Sequence, residues 1–68
     1  MKDNLTFGER LRLIRKRNNM SQKELSEKTG LYQIYISKYE NDKSFPNCTT
    51  LEWLCKALNV TASELLGF

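Results

Sequence analysis

A short interval around Gly30 constrains the fold of this 68-residue sequence more than any other feature. Residues of about 32–40 carry apolar side chains at helical spacing, residues of about 22–29 follow a capping signal and place Leu25 on an inner face, and Gly30 lies between the two segments. Glycine is expected directly after a helix because that position often takes a positive φ, which costs a residue with a Cβ. Two helices joined by a three- or four-residue turn that contains glycine cross at a steep angle. The sequence therefore predicts a helix-turn-helix within residues of about 21–41.

Capping signals predict where the helices begin. Three capping boxes, in which a Ser or Thr is followed three residues later by Glu, each precede a segment with helical spacing. They are Thr6 with Glu9, Ser21 with Glu24, and Thr61 with Glu64, and Asn47 is a fourth candidate N-cap. The predicted helices cover about 7–18, 22–29, 32–40, 48–58 and 62–66. Because no strand pattern or linker is found, we expect a compact all-α fold of four to five helices, with residues 1–68 forming a single domain.

Length and residue inventory limit the possible functions. A chain of 68 residues forms one core and has no room for a separate ligand-binding or catalytic domain. It contains no His, no paired carboxylates and no phosphate-cradling glycine loop, so we do not expect an enzyme. Two Cys without His supply too few ligands for zinc, and neither a metal nor a cofactor is expected. Cys48 and Cys55 are predicted to be buried thiols, two helical turns apart and too distant for an intrachain disulfide.

Location and charge narrow the choice of partner. No apolar run reaches the roughly 20 residues of a membrane span, and the first residues lack a secretory signal, so we expect a cytoplasmic protein without a membrane partner. The net charge is +3, and residues 10–43 hold nine Lys and Arg against four acidic residues. This local excess favours contact with nucleic-acid phosphates. A basic face that is merely solvated is the alternative.

The predicted third helix carries the pattern on which a binding function depends. A 100° wheel centred on Ile36 places Tyr32 and Tyr39 with it on the core-facing side. The opposite face presents Ile34, Ser37, Lys38 and Asn41, with Gln33 at its edge. This mixture of amide, hydroxyl, ammonium and apolar groups suits the donors, acceptors and thymine methyls of the DNA major groove. An ordinary polar helix face is the alternative interpretation.

Four short motifs occur in a fixed order along the chain. They are Gly8-Glu9-Arg10-Leu11, Met20-Ser21-Gln22-Lys23-Glu24-Leu25, Gly30-Leu31 and Tyr35-Ile36-Ser37-Lys38-Tyr39-Glu40-Asn41. With this spacing, residues 8–66 resemble the lambda-repressor-like family of phage repressors and Cro proteins. The resemblance implies a regulator of transcription, most often a repressor, that binds specific sequences of double-stranded DNA in the major groove.

The same resemblance implies roles for individual residues. The side chains expected to contact bases are Tyr32, Gln33, Ile34, Ser37 and Lys38. Those expected to contact phosphates are Gln22, Asn41 and Lys43, with a more diffuse contribution from Arg10. Arg15 and Glu40 resemble an internal ion pair, whose expected use is to fix the angle of the third helix, because desolvation offsets much of the attraction.

Four positions depart from the family pattern. Tyr32 stands where a Ser or Thr usually caps the third helix, so the entry to that helix is uncertain from sequence. Ser26 and Thr29 replace the usual Ala and an apolar residue, and both are small enough to fit. Asp42 stands where Gly is common, which leaves the path of the following loop undetermined.

Bulky apolar residues near the carboxyl end raise the question of a partner. We predict a homodimer whose interface contains Trp53, Leu65 and Phe68 and whose two reading helices lie about 34 Å apart, to match a near-palindromic operator. The alternative is that Trp53 and Phe68 merely cover a small core. The second function considered is an antitoxin-like or adaptor protein that uses the same fold chiefly to bind another protein. No small-molecule effector is expected, because the chain has no domain to sense one.

Overall fold

A computed structural model describes residues 4–68 of the chain. Within that range it contains five α-helices and no strand. The helices are α1 (Phe7–Arg17), α2 (Gln22–Thr29), α3 (Gln33–Glu40), α4 (Cys48–Leu58) and α5 (Ala62–Leu66). The predicted all-α fold is confirmed, and every helix bound agrees with its prediction to within one residue.

Side-chain caps begin four of these five helices. At α1, the Thr6 hydroxyl accepts a hydrogen bond from the amide of Glu9, and the Glu9 carboxylate accepts one from the amide of Thr6. The predicted capping boxes begin α2 and α5 in the same reciprocal way, and Asn47 caps α4 as predicted. Each cap satisfies backbone amides that the helix itself cannot bond, which is why short local motifs predicted the bounds so closely.

The core is formed by aliphatic side chains from all five helices. The fully buried members are Leu11, Leu25, Ile36, Leu54, Leu58 and Leu65. Helix α1 packs against α3 and α5, α2 packs against α3 and α4, and α4 packs against α5. Burying each of these side chains stabilises the fold by about 1.5–3 kcal/mol relative to leaving it in water. Helix α3 is therefore held on one side by α1 and α2, while its opposite side faces outward.

Three placements predicted from the sequence are wrong. Tyr32 is 77% exposed instead of facing the core, because it precedes α3 with an extended backbone and does not follow the helical wheel. Cys48 is exposed at the first position of α4, whereas Cys55 is buried as predicted. Leu65 is fully buried in the chain's own core, so it is not available for the dimer interface to which it was assigned.

None of the helices within residues 4–68 has the length and hydropathy that a membrane span requires. The same part of the chain has no group of three or more His, Cys, Asp or Glu side chains placed to hold a metal ion. Both cysteines are free thiols.

Candidate nucleic-acid interface

The turn between α2 and α3 has the geometry predicted for it. It consists of Gly30, Leu31 and Tyr32, and Gly30 takes the left-handed conformation with φ 77°. The Ser26 hydroxyl donates to the carbonyl of Leu31, and the Thr29 hydroxyl accepts from the amide of Leu31 at 3.3 Å. Ser26 and Thr29, which from the sequence were expected only to be small enough to fit, thus stabilise the turn by hydrogen bonds.

The face of α3 opposite the core is the candidate reading surface. Its side chains are Gln33, Ile34, Ser37 and Lys38, all exposed or partly exposed as predicted. Ile34 is 61% exposed, although it is apolar, whereas Ile36 and Tyr39 are buried. An apolar side chain held in water beside an amide and an ammonium forms a surface suited to contact with base edges and thymine methyls.

Tyr35 belongs to this surface and was missed as a site residue in the sequence. It is 43% exposed, and its ring centroid lies 6.3 Å from that of Tyr32. The two rings form an aromatic pair at the amino end of α3. Spacing alone could have suggested the pair, since residues three apart are neighbours on a helix surface, but the helical wheel placed Tyr32 toward the core and only the family resemblance placed it at the binding surface.

A single buried carboxylate anchors the carboxyl end of α3. Glu40 is 2% exposed, and it accepts from Arg15 Nε at 2.6 Å and from Arg15 Nη2 at 3.0 Å, so the predicted ion pair is present. Gln22 Nε2 donates to Oε1 of the same carboxylate at 3.1 Å, and Arg12 Nε does so at 3.4 Å. Glu40 therefore connects α3 to both α1 and α2, a larger network than the predicted pair.

This network keeps the carboxylate charged. Burial raises the pKa of Glu40, but hydrogen bonds from Arg15, Gln22 and Arg12, together with the charge of Arg15, outweigh burial and lower the pKa below its ordinary value. In return, the hydrogen bond to Glu40 raises the pKa of Arg15. Because desolvation opposes the attraction, such a pair fixes geometry more than it adds net stability. The bonds to Glu40 join the end of α3 to the two helices beneath it, α1 and α2.

The same end of α3 also lies close to the first turn of α1. A Cβ on Gly8 would lie 2.5 Å from the carbonyl oxygens of Tyr39 and Glu40, so this approach requires glycine. Asp42 has a left-handed backbone with φ 57°, and its carboxylate accepts from the Thr6 hydroxyl at 2.6 Å and the Gly8 amide at 2.9 Å. These two bonds lower the pKa of Asp42. Asp42 thus turns the chain back and binds the amino end of α1.

The residues predicted to contact phosphates are distributed around α3. Gln22 is the first residue of α2 and is partly buried. Asn41 follows α3, where its Nδ2 donates to the carbonyl of Ser37 at 2.8 Å and its Oδ1 accepts from Arg12 at 3.4 Å. Lys43 is exposed in the next loop. Asn41 and Lys43 are thus exposed near the end of α3, whereas the side-chain amide of Gln22 donates to Glu40.

Arg10 is different, and its assignment to phosphate contact is wrong. It is 9% exposed, and its guanidinium donates to the carbonyls of Leu66 at 3.3 Å and Leu5 at 3.2 Å. A Cβ on Gly67 would collide with the Arg10 guanidinium, so the two lie in close contact. Arg10 therefore donates to one carbonyl at the carboxyl end of α5 and to one just before α1, so its donors are used inside the chain.

The exposed apolar residues proposed for a dimer do not form one patch. Phe68, 88% exposed, lines a depression between α1 and α5 that also contains Leu13, Arg17 and Glu64. Trp53, 46% exposed, lines a separate depression between α2 and α4. The sequence placed both near the carboxyl end, but helix packing assigns them to different surfaces.

Comparison with known proteins agrees with this geometry. A family model described as a helix-turn-helix domain matches residues 8–67, and the chain belongs to this family, in its lambda-repressor-like branch. The immunity repressor of Bacillus phage phi105 is 35% identical over 63 residues, which cover 93% of this chain and 44% of that protein. Control protein C.SmaI of Serratia marcescens is 40% identical over 60 residues, 88% of this chain and 71% of that protein.

A solved structure supports the same assignment. The P22 c2 repressor in complex with a synthetic operator superposes with a TM-score of 0.87 at 33% identity, covering 93% of this chain and 96% of that one. The chain spans less than half the length of the phi105 repressor. Membership of this family agrees with the expectation that the chain is not an enzyme.

Proposed function

We propose that this chain is a regulator of transcription that binds a specific sequence of double-stranded DNA, as a repressor and as a homodimer on a near-palindromic operator. The observation that carries the proposal is the exposed stripe of α3, Gln33, Ile34 and Lys38, on a helix whose other side is fixed by Ile36 and Glu40. A reading helix needs both features, because base contacts discriminate only when the side chains are held in register with the groove.

Each side chain of the stripe has a chemical partner in the major groove. The Gln33 amide can pair with N6 and N7 of adenine, which discriminates against a wrong base by about 1–3 kcal/mol. Lys38 can donate to guanine O6 and N7 or to a phosphate, and Ile34 can pack on a thymine methyl. Tyr32, which precedes the stripe, and Ser37, next to Lys38, complete the proposed set of base contacts.

Phosphate contacts are proposed for Gln22, Asn41 and Lys43. Gln22 begins α2, where the first backbone amides of the helix are directed toward an anion at its end. Arg12 replaces Arg10 in this set, because its side chain is 43% exposed and it binds both Asn41 and Glu40. These contacts would position α3 without reading sequence.

The homodimer is proposed to form through the depression that holds Leu13 and Phe68. Both side chains are exposed, and the same depression is lined by Arg17 and Glu64, which carry opposite charges. A two-fold interface must be complementary to itself, and a patch with both charges beside an apolar centre meets that condition. The proposed interface keeps Phe68 from the sequence-based prediction and replaces Trp53 and Leu65.

Selection of binding sites from random duplex DNA tests this function. We expect a near-palindromic sequence with half-sites about 34 Å apart, one helical turn. Gln33→Ala should lose its preference at one base position in each half-site while binding to nonspecific duplex is retained. Gln22→Ala, the matched amide control, should weaken binding to all duplexes alike. Recovery of no preferred sequence, with every duplex bound at the nonspecific level of about micromolar or weaker, would overturn the proposal.

A further inference from the structure

The depression around Trp53 is a feature that DNA binding and dimerisation leave unused. Its lining comprises Trp53, Lys56 and Ala57 from α4 with Lys28 and Thr29 from the end of α2. Trp53 is 46% exposed, and it is the single tryptophan of the chain. Tryptophan is one of the residue types enriched among the few side chains that carry most of the energy of a protein interface.

The charge of this surface distinguishes it from the proposed dimer face. Both ionisable residues of the lining, Lys28 and Lys56, are positive and exposed. The Phe68 depression, in contrast, contains Glu64 as well as Arg17. A second copy of the same surface would bring like charges together across a two-fold axis, which disfavours self-association through Trp53.

The position of the depression also separates it from the reading surface. Helix α2 packs against α3 and against α4, and the Trp53 depression lies at the contact with α4. Its residues do not include any from α3. A chain bound to duplex through α3 would therefore leave Trp53 open to a further partner.

We propose that the Trp53 depression is a docking site for an acidic segment of another protein. In the complex, an apolar side chain of that segment packs on the indole and Ala57, while flanking carboxylates pair with the ammonium groups of Lys28 and Lys56. The apolar contact provides most of the affinity, and the two ion pairs provide charge selectivity that weakens with added salt. This inference is independent of the DNA-binding proposal, since the two surfaces share no residue.

Selection of phage-displayed random linear peptides against the immobilised full chain tests the proposal, with Trp53→Ala as the counter-selection target. We expect the recovered peptides to be acidic and to carry an aromatic or aliphatic residue. Binding of a synthetic copy should change the fluorescence of Trp53, the one indole of the chain. Trp53→Ala, measured by calorimetry, should lower the affinity about tenfold or more, as truncation of a dominant interface aromatic does.

Charge variants provide the matched controls. The double substitution Lys28→Glu with Lys56→Glu should abolish peptide binding. The double substitution Lys16→Glu with Lys23→Glu makes the same charge change at exposed lysines outside the depression, and it should leave peptide binding unchanged. Trp53→Phe keeps an aromatic ring, so comparison with it shows whether a loss of binding in Trp53→Ala results from a folding defect. Circular dichroism checks the fold of each variant.

Three results would overturn the proposal. The first is that no peptide survives the counter-selection, or that the recovered peptides are basic. In the second, Trp53→Ala lowers the sedimenting mass, which would assign the depression to a second copy of the chain. The third is that Trp53→Ala weakens binding to duplex DNA, which would assign the depression to the nucleic acid. The selection of binding sites with Gln33→Ala remains a separate test of the DNA-binding proposal.

Discussion

The two ends of α3 are built in opposite ways. At its carboxyl end, the Glu40 carboxylate accepts hydrogen bonds from α1 and α2, the Gly8 backbone approaches closely, and Asp42 binds the start of α1. At its amino end, Tyr32 begins the helix without a side-chain cap and is 77% exposed, and Ile34 is 61% exposed. One end is bonded to the rest of the chain, and the other faces solvent.

This difference shows how a small domain can hold a binding surface without burying it. A helix of eight residues is too short to be stable alone, so its order must come from packing. Anchoring the carboxyl end leaves the side chains of the amino end free for a ligand. The start of α3 has no side-chain cap, so the side chain of Tyr32 is not used by the fold at this point.

Removing the anchor should give the largest effect. Glu40→Gln leaves Arg15, 8% exposed, without a countercharge, and we expect unfolding in urea to show a loss of about 3 kcal/mol, since breaking one side of a buried pair is strongly destabilising. Glu27→Gln, at an exposed position of α2, is the matched control and should change stability little. Equal stability of the Glu40 variant and the native chain would mean that α3 does not depend on this end.

Adding a cap at the opposite end should have a smaller effect of the opposite sign. Tyr32 already has the extended backbone of an N-cap residue, with φ −67° and ψ 142°. Tyr32→Ser would supply a hydroxyl that accepts from an amide in the first turn of α3, so we expect it to be about 1 kcal/mol more stable than Tyr32→Ala. Thermal unfolding of the two variants measures the difference. If Tyr32→Ser were no more stable than Tyr32→Ala, the first backbone amides of α3 would already have other hydrogen-bond partners.

The smallest effect concerns Asp42 and appears as a dependence on pH. Hydrogen bonds from Thr6 and Gly8 lower the pKa of Asp42 in the folded chain, so the folded state favours the carboxylate. Its stabilisation is present above the ordinary value of 3.8 and is lost as the pH falls through the lower folded-state pKa. Asp42→Asn should therefore have a lower Tm at neutral pH and a weaker loss of Tm on acidification.

Asparagine is a suitable replacement because it tolerates the left-handed backbone at this position at least as well as aspartate does, so the charge is the main change. The Glu27→Gln variant again provides the control, as its acid profile should follow that of the native chain. Parallel profiles for the Asp42 variant and the native chain would show that this carboxylate does not hold α1 to α3.

Most of the fold was predictable because its signals are local. Capping boxes join residues three apart, and Gly30 is required by its own backbone conformation, so neither depends on distant parts of the chain. The Arg15–Glu40 pair was also predicted, but from the family resemblance and not from spacing. The outward positions of Gln33, Ile34 and Lys38 followed from helical periodicity once the start of α3 was known.

The candidate site was predicted less completely. In the sequence, Arg10 and Lys38 are both basic residues within predicted helices. Only the packing of α5 against α1 shows that the donors of Arg10 are used inside the chain. Leu65 was assigned to an interface and is buried, whereas Tyr32 is exposed, against the helical wheel that placed it toward the core and in line with the family resemblance that placed it among the base contacts. Asp42 had no predicted partner, because Thr6 and Gly8 lie more than thirty residues away in sequence.

The sequence by itself determined where each helix begins and ends, because hydrogen bonds between near neighbours decide those points. Tertiary structure alone decided which side chains remain available to a partner. Exposure depends on what the rest of the chain places over a residue, and two arginines of identical chemistry differ only in that respect. In this protein the difference separates Arg10 from Arg12, and the surface of Phe68 from that of Trp53.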